Sequence, residues 1–503
     1  MALDITKPES PGWWLARLGA RLLSERQDHT EARGSGNLER IPGLDTLRAY
    51  AEGFAPLPEV PGVAPTEAQE WMRDARTNWM SLVIDSPAER LGVAGFRFGE
   101  SSAADADANR IWQECGMDAE SELVHYGALS QRRSFVIVEK GPDGRPRMLH
   151  KSARQVAVAY DPHDPRVIRA ALYLYRDDWT GRTRATLWTR EDVVDMVSQG
   201  ADVTFPAGVS RLDGWDFVTL PSGDASVERN GLGTVPVVPF VNRRNRRPTG
   251  YAEHEDVLSV QNRITTGIIQ LMAAGRYGAF RQRYAAGLEV DEDPVTGAKI
   301  SPFKLDIKTL WTTESPDVKF GEFNSTDLRP YVAAVGAAVQ DLAAISKTPP
   351  HYLLGQVVNV SGDALKAAET GLVSKIRSRQ REYGESWESA MRLCFRILGD
   401  PRADEVSAET IWMDCESRTV SELADAAVKK QSAGVPWRQR MEDLGYTPAQ
   451  IDRMEVDRAQ DAMMAPEPSN GTSTVGRPTV VSLTPPQDQR VVIGRDTGVP
   501  QAA

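Results

Sequence analysis

The dipeptide Gly-Lys occurs nowhere in this chain of 503 residues. A phosphate-cradling loop that ends in Gly-Lys-Ser/Thr is thereby excluded, and with it the nucleoside-triphosphatase chemistry such a loop supports. Histidine is scarce. His29, His125, His150, His163 and His351 are scattered, and lone histidines most often serve as structural hydrogen-bonding groups. His254-Glu255 opens like a zinc-protease motif, but Leu258 stands where the second histidine belongs. No Cys-x-x-Cys pair and no Gly-x-Ser-x-Gly nucleophile elbow is present. Cys115, Cys394 and Cys415 are far apart and odd in number, which argues against a disulfide framework and fits a reducing compartment. Gly231-Leu-Gly233 lacks a third glycine at dinucleotide-loop spacing and reads as a turn. No cofactor, metal or catalytic residue is expected.

Long apolar runs are missing too: nothing approaches the roughly 18 residues a membrane helix needs. Met1–Glu9 lacks the basic-then-apolar order of a secretory signal. Positive charge is in deficit, with 59 Lys and Arg against 70 Asp and Glu, a net −11. A protein that grips nucleic acid by its phosphates is expected to be basic. The balance disfavours tight DNA binding but allows a chain that surrounds DNA without holding it. The densest basic cluster, Arg243, Arg244, Arg246 and Arg247, is a candidate contact for nucleic acid or an acidic partner, and equally a solvated turn. Lys375, Arg377, Arg379 and Arg381 step by two and so spread around a helix; Lys375 and Arg379 are the candidates to line a channel, and others would pair with Glu382 or Glu385.

What is present reads as a soluble chain of two to four regions, 41% hydrophobic and 26% charged. Trp13, Trp14, Leu18, Leu22 and Leu23 form one helical face, a polar linker follows over Gln27–Asn37, and a short helix covers Leu44–Gly53. Helices are predicted over Trp71–Leu91 and Asp105–Val124. Strands are predicted over Val93–Phe98, Ser134–Glu139, Gln155–Tyr160, Val167–Tyr175, Arg182–Thr189 and Trp215–Leu220. Residues 90–240 therefore form an α+β region with an antiparallel sheet. Val235–Val241, interrupted by Pro236 and Pro239, suits a sheet edge or a connector.

Further on, Glu253–Tyr277 is a long helix, and 278–324 returns to short strands and turns. A second long helix ending at Ser346 repeats Leu328, Val332, Val335, Val339 and Leu342 at spacings of four and three. Ala333, Ala334, Gly336, Ala337 and Ala338 surround that stripe and leave room for another backbone to approach. Thr348–Gly362 cannot be helical throughout. Asp363–Leu398 is helical, with Tyr383, Trp387 and Met391 inward and Gly384 a candidate kink. A strand at Glu409–Asp414 and three helices reach Met464, and the Pro/Thr/Gly/Gln/Ser-rich remainder is expected to be disordered.

Several phrases, in order, resemble the portal proteins of tailed double-stranded DNA bacteriophages, of the kind in long-tailed actinobacteriophages. They are Leu47-Arg-Ala-Tyr-Ala-Glu-Gly-Phe-Ala-Pro-Leu57, Asn78–Leu91 with Gly95-Phe-Arg97, Leu232-Gly-Thr-Val-Pro-Val-Val-Pro-Phe-Val-Asn-Arg243, and Ile345–Gly355. The likeness covers roughly residues 40–460. It implies an α+β portal fold: a wing over 1–240, a basic connector and first stem helix over 241–277, and a clip over 278–324. A second stem helix over 325–346, a tunnel loop over 347–362, a long wing-to-crown helix over 363–398, a crown over 399–464 and a tail over 465–503 complete it.

The same resemblance implies a dodecameric homo-oligomeric ring at one capsid vertex, without enzymatic activity, through which double-stranded DNA is packaged and ejected. Its partners would be the terminase large subunit, then the head–tail adaptor, with the major capsid and scaffolding proteins and no membrane. It would sit in the virion, and in host cytoplasm during assembly. Gln356, Val357, Val358, Asn359, Val360 and Ser361 would face DNA, and Leu328, Val332, Val335, Val339 and Leu342 would pack the stem between subunits. Two rival readings are another head–tail connector, disfavoured by the length and the paired helices, and an enzyme with an unfamiliar site in 90–240.

Overall fold

The computed structural model describes residues 3–32, 38–56, 73–99, 104–200, 202–205, 211–219, 226–279, 283–287, 294, 297, 317–322, 326–354, 362–416 and 418–464. A short strand, β1 (Leu3–Asp4), precedes α1 (Pro11–Arg26). Ser10 caps that helix by accepting from the Trp13 amide, and Pro11 takes a first-turn position where no amide hydrogen is needed. The helix buries Trp14, Leu15, Leu18 and Leu22, close to the expected face, while Trp13 and Leu23 are half-buried. The segment expected as a linker is in part a hairpin, β2 (His29–Ala32) against β3 (Leu38–Ile41). Then come α2 (Leu44–Ala51) and α3 (Trp79–Ala88). The Asn78 side chain accepts from the Met80 amide and caps this helix, which the non-helical residues 76–78 separate from a helical Arg73–Asp74; Trp71, where the expected helix begins, lies outside the described residues. After β4 (Val93–Phe98), the single helix expected from Asp105 is two, α4 (Ala106–Glu114) and α5 (Met117–Ser130). Gly116, at φ 65°, breaks them apart.

β5 (Arg133–Lys140) lies between β6 (Pro146–Ser152) and β14 (Val237–Val241) in a three-stranded antiparallel sheet. β14 takes an edge, the place open to a strand whose Pro239 has no amide hydrogen to donate. The larger sheet is also antiparallel. It runs β12 (Trp215–Phe217), β10 (Asp192–Ser198), β9 (Arg182–Thr189), β8 (Ile168–Asp177), β7 (Val156–Tyr160), with β13 (Val227–Arg229) also on β10. β11 (Arg211–Leu212) pairs with β1. Leu15, Leu18 and Leu22 of α1 cover one face of that sheet, against Leu172, Leu187 and Met196.

A single 3-10 turn, Glu255–Val257, leads into α6 (Leu258–Ala279). β15 (Arg283–Ala286) and β16 (Lys319–Glu322) pair antiparallel, and α7 (Arg329–Ser346) and a short α8 (Pro350–Leu354) follow. α9 (Gly362–Leu398) is continuous through Gly384. Its Tyr383, Trp387 and Phe395 are fully buried and share a core with Phe96, Trp112 and Phe240. The Trp387 ring sits 4.9 Å from Trp112 and 4.6 Å from Phe240 in edge-on geometry. β17 (Ala408–Trp412) pairs with β4, so the late chain closes on the early one. α10 (Val420–Ser432), capped by a Thr419–Glu422 capping box, α11 (Trp437–Asp443) and α12 (Pro448–Met464) end the described chain. Residues Met1–Ile451 make one compact unit, and Asp452–Ala503 fall in another. The expected tail lies outside the described residues.

Candidate functional site at the helical pair

α6 and α7 run antiparallel. Arg263 bonds Asp341 at 2.6 Å, a Cβ on Gly267 would meet Val335, and one on Gly275 would lie 3.9 Å from Leu328. The stripe predicted on α7 divides between two environments. Val339 and Leu342 are buried, with Ala338 and Ala343, against Val257, Val260, Ile264, Met80 and Val83. Val335 is half-buried beside them, whereas Leu328 is 36% exposed and Val332 57%. Ala333, Ala334 and Ala337 are exposed, as is Ile345. The outer half of the helix thus presents small and apolar groups that no other described residue covers. Covering such surface contributes roughly 25 cal/mol per Å².

At the base of the pair sits an ionic cluster that orders the basic residues singled out in the sequence. Glu253 is buried; its Oε1 accepts from Arg379 Nε at 2.9 Å and Nη2 at 2.7 Å, and from Asn242 Nδ2 at 3.2 Å. Lys375 Nζ lies 3.6 Å from its other oxygen. Burial alone would raise the Glu253 carboxyl, but Lys375 and Arg379 outweigh it and hold it at about 2. Burial depresses the Lys375 ammonium, with Glu253 opposing. A channel-lining role for Lys375 and Arg379 therefore does not follow from their place in the folded chain: both point inward, their side chains 7% and 8% exposed. Residues four apart share a helix face, so Lys375 and Arg379 turn in while Arg377 and Arg381 turn out. The outward pair, with Lys366, Arg418, Glu416 and Glu422, lines an open polar groove of about 560 Å³.

The cluster at 243–247 is likewise largely neutralised. Arg243 and Arg246 reach Asp256 at 2.8 and 3.4 Å, and Arg247 reaches Glu255 at 3.4 Å. Arg132 grips Glu255 with two bonds of 2.7 and 3.0 Å. Tyr251 donates to Asp256 beneath the three guanidinium groups, at 4.9, 5.4 and 5.6 Å from its ring. Arg244 is exposed and donates to the Pro165 carbonyl at 3.5 Å. Glu253, Glu255 and Asp256 all precede α6, where negative charge also suits the helix dipole. That acidic start is the one signal in the local sequence for the ion cluster.

After α7, Thr348 is buried and Pro350–Leu354 is helical, so the predicted loop opens with structure. Gln356, Val357, Val358, Asn359, Val360 and Ser361 lie outside the described residues, as does most of 278–324. Tyr352 donates to Glu369 at 2.9 Å, and Arg90 bonds both, at 2.5 Å to the phenol and 3.3 Å to the carboxylate. Among the described residues no group of three or more His, Cys, Asp or Glu is placed to hold a metal. No described helix is long and apolar enough to cross a membrane.

A family model described as "Phage portal protein, SPP1 Gp6-like" matches residues 67–442, well over half of the chain. A protein named "Portal protein" from Mycobacterium phage D29 is 29% identical over 423 residues, covering 81% of this chain and 83% of that one. Its namesake from Mycobacterium phage L5 is 29% identical over 430 residues, with the same coverage. Among solved structures, a chain of "Virion of native gene transfer agent (GTA) particle" aligns with a TM-score of 0.41 and 10% identity, over 80% of this chain and 98% of that chain.

Proposed function

This chain belongs to the SPP1 Gp6-like phage portal protein family, and we propose that its copies close into a dodecameric ring around a DNA channel at one capsid vertex. The family match over 67–442 carries this reading. The uncovered face of α7 supports it. In a closed ring each subunit meets its two neighbours through different surfaces, so a helix that satisfies only one side internally leaves the other for a neighbour. α6 and α7 are then the stem, β15–β16 belongs to the clip that docks the terminase and later the head–tail adaptor, and α9 joins wing to crown. The net charge of −11 suits a channel in which a duplex slides and does not stick.

The residues 356–361 would touch the passing DNA. Arg377 and Arg381, which face outward, are better placed for phosphate contacts than Lys375 and Arg379. Negative-stain images of the purified chain test the proposal. A ring with a central channel supports it, and a compact monomer at high protein concentration removes it.

A further inference from the structure

The last carbonyls of a helix have no partner within it. At the end of α7, Ser346 spends its hydroxyl on Leu342 O and Thr348 Oγ1, at 2.7 and 2.9 Å. Its carbonyl is met from another element: Lys375 Nζ, from α9, donates to Ser346 O at 3.0 Å. A cation at a helix C-terminus is favourable both as a hydrogen-bond donor and toward the helix dipole. The two backbones are close there. A Cβ on Gly371, one turn earlier in α9, would lie 3.7 Å from the Cβ of Lys347, the left-handed residue that ends α7 at φ 55°. The same ammonium faces Glu253 at the entry to α6, so one side chain meets the start of the first helix and the end of the second.

A chemically separate tie follows within a few residues. The Tyr352 phenol, on α8, donates to Glu369 of α9 and accepts from Arg90, which itself bonds the Cys415 carbonyl at 3.2 Å.

We propose that Lys375 and Tyr352 are positioning residues that clasp the end of α7 and the following α8 to α9, so that the end of the helical pair is carried by α9. The end of α7, α8 and the first half of α9 then move as one body, and a displacement of α9 shifts the end of α7 with it. This goes beyond the ring and DNA roles and rests only on contacts within one chain.

Hydrogen–deuterium exchange on the full-length protein tests it, comparing the natural chain with Lys375→Met, Tyr352→Phe and Arg377→Met. Lys375→Met should speed exchange of amides 343–348 by about tenfold or more, with β7–β10 unchanged, as local opening without global unfolding requires. Tyr352→Phe should do the same for amides 351–354, and Arg377→Met, on the outward face, should do neither. Natural rates at 343–348 in Lys375→Met, or a uniform rise along the chain, would overturn the proposal. Should Lys375→Met fail to fold, the double variant E253Q/K375M removes the buried charge that Lys375 faces and is judged by the same criterion. A monomer that shows the local rise keeps the clasp and removes the ring; a ring without it does the reverse.

Discussion

A Cβ placed on Gly267 would stand 2.9 Å from Val335 Cγ2, so α6 and α7 touch at a point where one of them has no side chain. Apolar heavy atoms ordinarily meet at about 4 Å. Gly267→Leu should push the helices apart and lower the unfolding free energy by about 1–3 kcal/mol in urea. Val335→Ala in the same chain should recover part of that loss. Losses that simply add in the double-mutant cycle would show that the two positions do not meet.

Arg379 and Glu253 are tied by two bonds in the interior. Arg379→Met removes both of those bonds, leaving the buried carboxylate with Lys375 and Asn242, and should cost about 1–3 kcal/mol. The pH dependence has a definite sign. Glu253 is held at about 2 when folded, below its ordinary 4.5, so its contribution is complete above about 4.5 and disappears as pH falls toward about 2. Melting measured across that window should fall less steeply in Glu253→Gln than in the natural chain.

His125 is buried, stacked 5.6 Å from Tyr383, and accepts from Trp387 Nε1 at 2.9 Å. Burial lowers it from 6.5 to about 3. The unfolded chain binds this proton below about 6.5 and the folded chain does not, so stability declines as pH falls from about 6.5 toward about 3. His125→Gln keeps an acceptor for Trp387 without the titration. Its melting temperature should change less over that range, although His254, lowered to about 4 by burial, retains its own share.

Removing Val357–Val360 should leave the melting temperature of the purified protein close to natural and reduce the DNA retained in virions. Normal packaging and retention in phage that carry the deletion would contradict a DNA contact there.

Much of the architecture was legible because periodicity marks long elements: α6, α7 and α9 fall where their stripes place them. Other elements were not. β6 and β10 are strands despite Arg147, His150, Lys151, Asp192 and Asp195, because an antiparallel neighbour supplies the ladder that local sequence does not announce. Gly116 divides a helix whose polarity pattern is continuous, through a left-handed backbone that spacing cannot reveal. The heptad stripe of α7 is apolar along its length, but only the fold separates Leu342, buried within the subunit, from Val332, left bare. For the same reason spacing alone offers Lys375 and Arg379 as candidates to line a channel and does not show that they are buried. Their partner, Glu253, lies 126 residues from Arg379, and no local pattern joins them.

The most direct test uses Ala334 and Ala337, which are exposed, and spares Ala338, which is 4% exposed against α6. Light scattering on Ala334→Glu with Ala337→Glu, beside the natural chain, measures whether that face meets a neighbour. The expected result is a ring mass for the natural chain and a single-subunit mass for the variant, with its melting temperature unchanged. A variant that still assembles at the ring mass would show that this face of α7 is not the wall between subunits.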